Sequence, residues 1–182
     1  TLYGTKLFKG YRIYYFSSDL LKVSLFTQSG TVLQGGSNEF RNARSQRVGF
    51  LHSTFAWVRL LHRAIDKGRD VRMFYCGLES PELLVQRVTQ RVRRGGHFMP
   101  EANIKECWVS SIHNVLSLIP RLSELVVFDN SFQCDAMTRP MPKCLFVVKA
   151  HQFTVLPVYG MPEWAKPLAV RAMQCVIDAS YR

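Results

Sequence analysis

The chain has 182 residues, 47% of them hydrophobic, which is enough for one domain with its own core. It contains no run of about 18 apolar residues, so the sequence predicts no membrane-spanning helix. The formal net charge is +11, with 24 lysines and arginines against 13 acidic residues. Such an excess attracts polyanions, namely nucleotides, nucleic acids or acidic membranes, and charge alone does not choose among them.

Five cysteines are scattered along the chain without a Cys-x-x-Cys pair, and the five histidines show no spacing typical of metal ligands. An odd number of unclustered cysteines indicates the reduced thiols of an intracellular protein, and it disfavours a disulfide framework or a zinc site. We therefore predict a cytoplasmic protein and assign no metal-ligating residues.

In chain order, the first predicted strand covers residues 10–17 (GYRIYYFS), which are rich in β-branched and aromatic residues. Residues 28–38 contain several glycines and serines and are typical of a loop. Apolar residues recur at helical spacing over residues 55–67, and Gly68 stands where a helix ends. The remaining predicted elements are a strand at 70–78, helices beginning at Pro81 and Pro100, a strand at 124–131, a strand pair at 144–150 and 152–158, and a last helix from Pro162.

Strands that alternate with helices imply an α/β fold with a mainly parallel sheet and helices on both faces. Ligands of such sheets bind beyond the carboxyl ends of the strands. Asp19, the residues after Cys76 and residues 129–131 all follow predicted strands. Asp19 is placed to accept a hydroxyl proton or hold magnesium, or else to cap a helix. The Asp-Asn pair that opens the segment 129–131 fits a turn better than a site.

The segment 87–101 (RVTQRVRRGGHFMPE) carries the most chemical information. Arg87, Arg91 and Arg94 recur at i, i+4 and i+7 and therefore share one helical face. Three guanidinium groups followed by a Gly-Gly hinge suit the binding of phosphate oxygens. A solvated basic face with a flexible loop explains the spacing equally well. His97 lies in the same loop and is either a ligand contact or a surface histidine.

Three segments, RVTQRVRRGGHFMPEANI, SIHNVLSLI and VVFDNS, carry the pattern RV-x-x-RV-x-x-GGH-x-x-PE with a later Asp-Asn-Ser. In this pattern the chain resembles the zeta toxin family of P-loop kinases, and more closely its branch known as putative ABC-type ATPases. The resemblance is strongest over residues 70–131 and continues through the predicted C-terminal strands and helix at 141–182. It implies a single kinase domain over residues 1–182 with a P-loop NTPase-like fold.

The resemblance implies an ATP-dependent kinase that uses Mg²⁺ and phosphorylates a hydroxyl of a small substrate, which in the toxins proper is a UDP-linked amino sugar. It implies that Asp19 accepts the proton of that hydroxyl. It places Arg87, Arg91 and Arg94 at the ATP phosphates, the last two in a lid that clamps them. Thr1 falls at or beside the terminal Ser/Thr of the phosphate-binding loop. An antitoxin protein is the candidate protein partner.

The family's Glu-Thr-Thr-Leu run, which helps to place the substrate, aligns with His52, Ser53, Thr54 and the residue after them. The resemblance therefore assigns substrate contacts to these residues and to His97, with a histidine in place of the family's carboxylate. Cys107 stands where the family has an arginine, and a thiol cannot make the bidentate contact of a guanidinium.

The family's phosphate-binding loop, Gly-x-x-x-x-Gly-Lys-Ser/Thr, does not occur in the chain. Since the backbone and lysine of that loop hold the β- and γ-phosphates, we expect an N-terminally truncated domain that is inactive as given. Two other hypotheses stay open: a non-catalytic module that binds RNA or another polyanion through its basic face, and a degenerate relative without activity. The absence of an RNA-binding signature and of aromatic residues between the arginines disfavours nucleic acid.

Overall fold

The computed structural model describes residues 2–8, 11–16, 23–26, 55–68, 70–96, 98–132 and 142–181. In these ranges the chain forms a two-stranded sheet, a five-stranded sheet, four α-helices and two short 3₁₀ helices. The strands are β1 (Leu2–Phe8), β2 (Tyr11–Phe16), β3 (Val23–Phe26), β4 (Arg72–Gly77), β5 (Glu124–Asp129), β6 (Lys143–Lys149) and β7 (Gln152–Val155). The helices are α1 (Phe55–Asp66), α2 (Pro81–Arg93), α3 (Glu101–Leu118) and α4 (Lys166–Ser180).

The five-stranded sheet is mixed, with the strand order β3-β4-β5-β6-β7. Strands β4 and β5 are parallel, and the other neighbouring pairs are antiparallel. The α/β class is confirmed, but the prediction of a mainly parallel sheet is wrong for the described strands. The β4–β5 connection contains α2 and α3 and joins the parallel pair, whereas β3 and β4 are antiparallel although α1 lies between them. Strands β6 and β7 are joined by Ala150 and His151, and a connection this short forces an antiparallel hairpin.

Helices α1, α3 and α4 pack on one face of the sheet, where they share the main core with Met73, Tyr75, Leu125 and Val127. The opposite face buries a separate cluster of strand residues that includes Phe74, and every described member of that cluster comes from a strand. The prediction of helices on both faces is therefore not met by the described helices. None of these helices is long and apolar enough to cross a membrane.

Local sequence signals set both ends of α2. Ser80 caps the first turn, since its hydroxyl oxygen accepts a hydrogen bond from the backbone N–H of Leu83 at 3.2 Å, and a proline follows at the first helical position. At the other end Gly95 has φ +86°. The N–H groups of the two glycines bond back into the last turn, Gly95 to Val92 and Gly96 to the Arg91 carbonyl oxygen, both at 2.9 Å. This is a Schellman cap, so the Gly-Gly pair ends the helix.

Helices α2 and α3 form a hairpin with a small core of its own. Trp108 contacts both this core and the main one, and its Nε1 donates a hydrogen bond to the Leu78 carbonyl oxygen at 3.0 Å. That bond fixes the hairpin to the chain segment that follows β4. The buried residues of the small core are Leu78, Leu84, Val88, Met99, Ile104 and Cys107.

The first described segment forms a strand, β1, which pairs antiparallel with β2. Strand β2 confirms the strand predicted over residues 10–17. A P-loop leads directly into a helix, and the resemblance aligns the start of the chain with the region just after that loop. The structure has β1 there instead, which is a difference from the family pattern.

Candidate functional site

The carboxyl ends of the two parallel strands lie side by side. Gly77, the last residue of β4, stands opposite Asp129, the last residue of β5. The pairing extends one residue further, because the Asn130 N–H donates to the Gly77 carbonyl oxygen at 2.9 Å. We name residues 77–80 and 129–132 the β4–β5 edge. Ligands of α/β proteins bind at edges of this kind.

Asp129 organises one side of the β4–β5 edge. Its carboxyl group is buried, and its Oδ1 accepts hydrogen bonds from the backbone N–H of Ser131 at 3.1 Å and from the Ser131 hydroxyl. The first bond makes an Asx turn, which agrees with the predicted turn. The Ser131 oxygen in turn accepts from the backbone N–H of Glu79 at 2.8 Å. Asp129 and Ser131 thus tie together the two segments of the edge.

Arg87 adds a second tie between α2 and the same edge. Its Nη2 donates to the carbonyl oxygens of Asn130 at 2.7 Å and Phe132 at 2.9 Å. The structure therefore gives this predicted nucleotide-binding residue a structural task, which is to hold the segment after β5 against the arginine-bearing face of α2. Sequence reasoning identified the face but not this contact.

We expect Arg87→Ala to lower the free energy of unfolding by about 1–2 kcal/mol, because two carbonyl oxygens lose a charged donor at a partly exposed site. Arg93→Ala is the matched control, since Arg93 is exposed on the same helix, and it should change stability by less than about 0.5 kcal/mol. Urea unfolding followed by circular dichroism measures both. Equal effects of the two substitutions would contradict the tie.

The other two predicted arginines lie further from the β4–β5 edge. Arg91 is half-buried, and its Cγ lies where a side chain at Gly96 would collide with it, since a Cβ added there would come within 2.6 Å. Arg94 is exposed at the C-terminal cap. Seven helical residues separate Arg94 from Arg87, roughly 10 Å along the axis. The arginines thus form a row that starts at the edge and leads away from it.

The remaining predicted site residues, Thr1, Asp19, His52, Ser53, Thr54 and His97, lie outside the described residues.

The structure describes Cys107, which stands where the family has an arginine, and it also describes the nearby Lys105. Cys107 is buried between α2 and α3, in the small core of that hairpin. Lys105 points to the surface, where its Nζ lies 2.7 Å from Glu101 and 3.9 Å from Glu82. The hydrogen bond to Glu101 raises the pKa of Lys105. Lys105 therefore points toward these two acidic residues and away from the buried position 107.

Trp164 packs against the β4–β5 edge from the side of the main core. Sequence reasoning assigned this residue no role. A Cβ added to Gly77 would lie 2.2 Å from Cη2 of this ring, so the backbone of β4 passes directly against the indole. The ring also makes an edge contact with Tyr75, with the centroids 6.0 Å apart. Within the described chain its Nε1 is buried without a hydrogen-bond partner.

The Tyr75 hydroxyl is buried below this edge and belongs to a small hydrogen-bond network. It is 3.1 Å from the Ser111 hydroxyl oxygen, and Ser111 donates its own proton to the Trp108 carbonyl oxygen at 2.8 Å. Tyr75 is therefore the donor to Ser111. Burial raises the pKa of Tyr75 far above its usual value, so the phenol stays neutral and its task is to join β4 to α3.

Metal ligands are not clustered in the part of the chain that the structure describes: it holds no group of three or more His, Cys, Asp or Glu side chains that could bind an ion. Asp129 is the one carboxylate of the β4–β5 edge that is buried. Mg²⁺ needs only one or two carboxylates when phosphate oxygens and water complete its shell, so Asp129 fits a magnesium that arrives with a nucleotide.

Comparisons with protein-family models, with curated proteins and with solved structures find no match to this chain.

Proposed function

We propose that the chain is part of an ATP-dependent phosphotransferase of the zeta toxin kind, and that it binds the ATP phosphates along α2 beside the β4–β5 edge. One observation carries the proposal: the arginine-bearing helix starts at the carboxyl edge of a parallel strand pair and is tied to it by Arg87. A strand-loop-helix unit of this kind presents the backbone N–H groups of the helix start at the edge, and the arginines of α2 continue from there along the helix.

Arg91 and Arg94 are the residues that we assign to the phosphates. A guanidinium presents a rigid fork of N–H donors that matches two phosphate oxygens at once. Arg87 is tied to two carbonyl oxygens, so in this proposal it orients the row of arginines. The chain has 24 lysines and arginines against 13 acidic residues. This excess of positive charge attracts an anionic ligand such as ATP at long range.

Phosphoryl transfer is mostly a matter of positioning and electrostatic stabilisation. Magnesium, when bound, neutralises charge on the β- and γ-phosphates, and we assign Asp129 as a carboxylate that can hold it at the edge. Asp19 stays the proposed acceptor of the substrate hydroxyl proton, on the resemblance alone. The P-loop NTPase-like arrangement of the whole domain is part of the same proposal.

Calorimetric titration with magnesium-ATP tests the proposal, on this chain and on a form extended upstream through a phosphate-binding loop. In the extended form we expect binding, which Arg94→Ala weakens about tenfold or more through the loss of a charge-assisted contact. Arg93→Ala is the control on the same helix end and should leave the Kd within about twofold. Asp19→Ala should keep ATP binding and abolish ATP turnover.

Three results would refute the proposal. The extended form fails to bind ATP, or Arg93→Ala and Arg94→Ala weaken binding equally, or Asp19→Ala turns over ATP at the parent rate. If the extended form does not bind ATP but binds RNA in a salt-dependent way, the hypothesis of a non-catalytic polyanion-binding module is favoured instead.

A further inference from the structure

The last helix, α4, carries apolar side chains on two opposite faces. One face packs into the main core through Leu168, Ala172 and Cys175. The other face is exposed to solvent. We name it the α4 stripe, and it consists of Val170, Met173, Ile177 and Tyr181, whose exposed fractions are 54%, 41%, 54% and 85%. A helix that is apolar on both sides is typically buried on both sides, and among the described residues the stripe has no partner.

The stripe is continuous. Its members are separated by three, four and four residues, which is the spacing that keeps side chains on one side of a helix. From Val170 to Tyr181 it runs roughly 16 Å along the helix axis. Contiguous exposed apolar surface of this kind marks an interaction site more often than an isolated exposed side chain does.

We propose that the α4 stripe binds the α4 stripe of a second copy of this chain, with the two helices antiparallel about a two-fold axis that passes midway between Met173 and Ile177. In such an isologous contact, residue i of one copy meets residue j of the other, and j meets i. The N-terminal end of one stripe then lies against the C-terminal end of the other. Val170 meets Tyr181 of the second copy, and Met173 meets Ile177 of the second copy.

Charge pattern selects this arrangement. Arg171 and Asp178 lie seven residues apart, two helical turns, on the same flank of the stripe. The antiparallel arrangement brings Arg171 opposite Asp178 of the second copy, and the two-fold axis makes this pair twice. In a parallel arrangement the same flank of the two copies would lie on opposite sides of the contact, so the pairing of Arg171 with Asp178 would not form.

The same pattern favours a second copy over an acidic membrane. A membrane-binding helix carries unpaired basic residues along the flanks of its apolar face. Here one flank holds Arg171 and Asp178 in equal number, and Lys166 near the helix start already pairs with Glu163. The neighbourhood of the stripe is therefore close to neutral, although the whole chain has a formal charge of +11.

Four apolar side chains per copy make a small interface, and interfaces of this size give weak, concentration-dependent dimers. Sedimentation equilibrium over a range of concentrations should show an average mass that rises from 20.9 kDa toward twice that value. Ile177→Glu should hold the mass at that of the single chain at every concentration. Val109→Glu is the matched control, because Val109 is 46% exposed on α3, and it should leave dimerisation unchanged.

Charge reversal tests the pairing across the axis. Arg171→Asp or Asp178→Arg alone should weaken dimerisation about fivefold or more, since symmetry repeats each like-charge contact. The two changes together in one chain should restore the parent Kd to within about twofold. Far-UV circular dichroism establishes that each variant keeps its fold.

A parent chain that stays monomeric overturns the proposal, as does a dimer that Ile177→Glu leaves intact or that Val109→Glu breaks. A double reversal that fails to restore dimerisation overturns the antiparallel arrangement. A monomer that binds anionic lipid vesicles, and loses this binding with Ile177→Glu, would assign the stripe to a membrane surface and overturn the proposal as well.

Discussion

Gly77→Ala is expected to lower the free energy of unfolding by about 3 kcal/mol, the largest effect of any single methyl group that we foresee in this chain. The added Cβ would lie within 2.7 Å of three atoms of the Trp164 ring, at distances of 2.2, 2.3 and 2.7 Å. Trp164 is only 5% exposed and packs against Tyr75. The ring is packed within the main core, so either β4 or the indole must shift to accept the methyl group.

Two further variants separate this clash from general effects of replacing glycine. Gly160→Ala adds a methyl group with nothing within 4 Å, at a φ of +71°, so its cost should be about 1 kcal/mol from backbone strain alone. Trp164→Leu removes the obstacle, and combined with Gly77→Ala it should cost less than the sum of the two single changes. Urea unfolding measures all four proteins. Additive effects at positions 77 and 164 would contradict the predicted clash.

Helix ends could be predicted from the sequence because their causes are local. Ser80 and Pro81 mark the start of α2, and the observed cap uses the Ser80 hydroxyl as expected. Gly68 and Gly95 follow helices and both take positive φ. All the atoms involved lie within a few residues of each other in the chain, so no knowledge of the rest of the fold is needed.

Strand direction could not be predicted in the same way. An apolar run such as β6 has the same appearance in a parallel and in an antiparallel sheet once both faces are covered. The turn that reverses the chain after β6 uses Ala150 and His151 at φ 48° and 56°. Glycine, asparagine and aspartate are the usual signals of such a turn, and neither position has one. The sequence therefore predicted the strand pair but not a sheet dominated by antiparallel pairs.

Some features of the candidate site have local causes and could be predicted from the sequence, whereas others depend on residues distant in the chain. Helical periodicity predicted correctly that Arg87 shares a face with the other arginines, yet its partners are backbone carbonyl oxygens more than forty residues away. A glycine inside a strand usually weakens that strand. At position 77, however, a larger residue would collide with Trp164, which is distant in sequence. Contacts of this kind depend on the assembled fold, so they cannot be predicted from the periodicity or composition of the sequence.

The second large effect is expected at Asp129. Asp129→Ala should lower the free energy of unfolding by about 2–3 kcal/mol, because it leaves the Ser131 N–H and hydroxyl without their acceptor in a partly buried turn. The Ser131 oxygen also receives the Glu79 N–H at the start of the α2 segment. Loss of the turn therefore loosens both sides of the β4–β5 edge. Urea unfolding measures the change.

Asp129→Asn separates the structural task of this residue from a task that needs its charge. Both described hydrogen bonds end on the single oxygen Oδ1, and an asparagine side chain keeps an acceptor oxygen at that place. This variant should lose less than about 1 kcal/mol of stability. If Asp129 also holds magnesium, the asparagine variant of the upstream-extended protein keeps its fold but loses magnesium-dependent ATP turnover. An asparagine variant as unstable as the alanine variant would contradict the hydrogen bonding described for the turn, and full turnover in it would remove Asp129 from the proposed magnesium site.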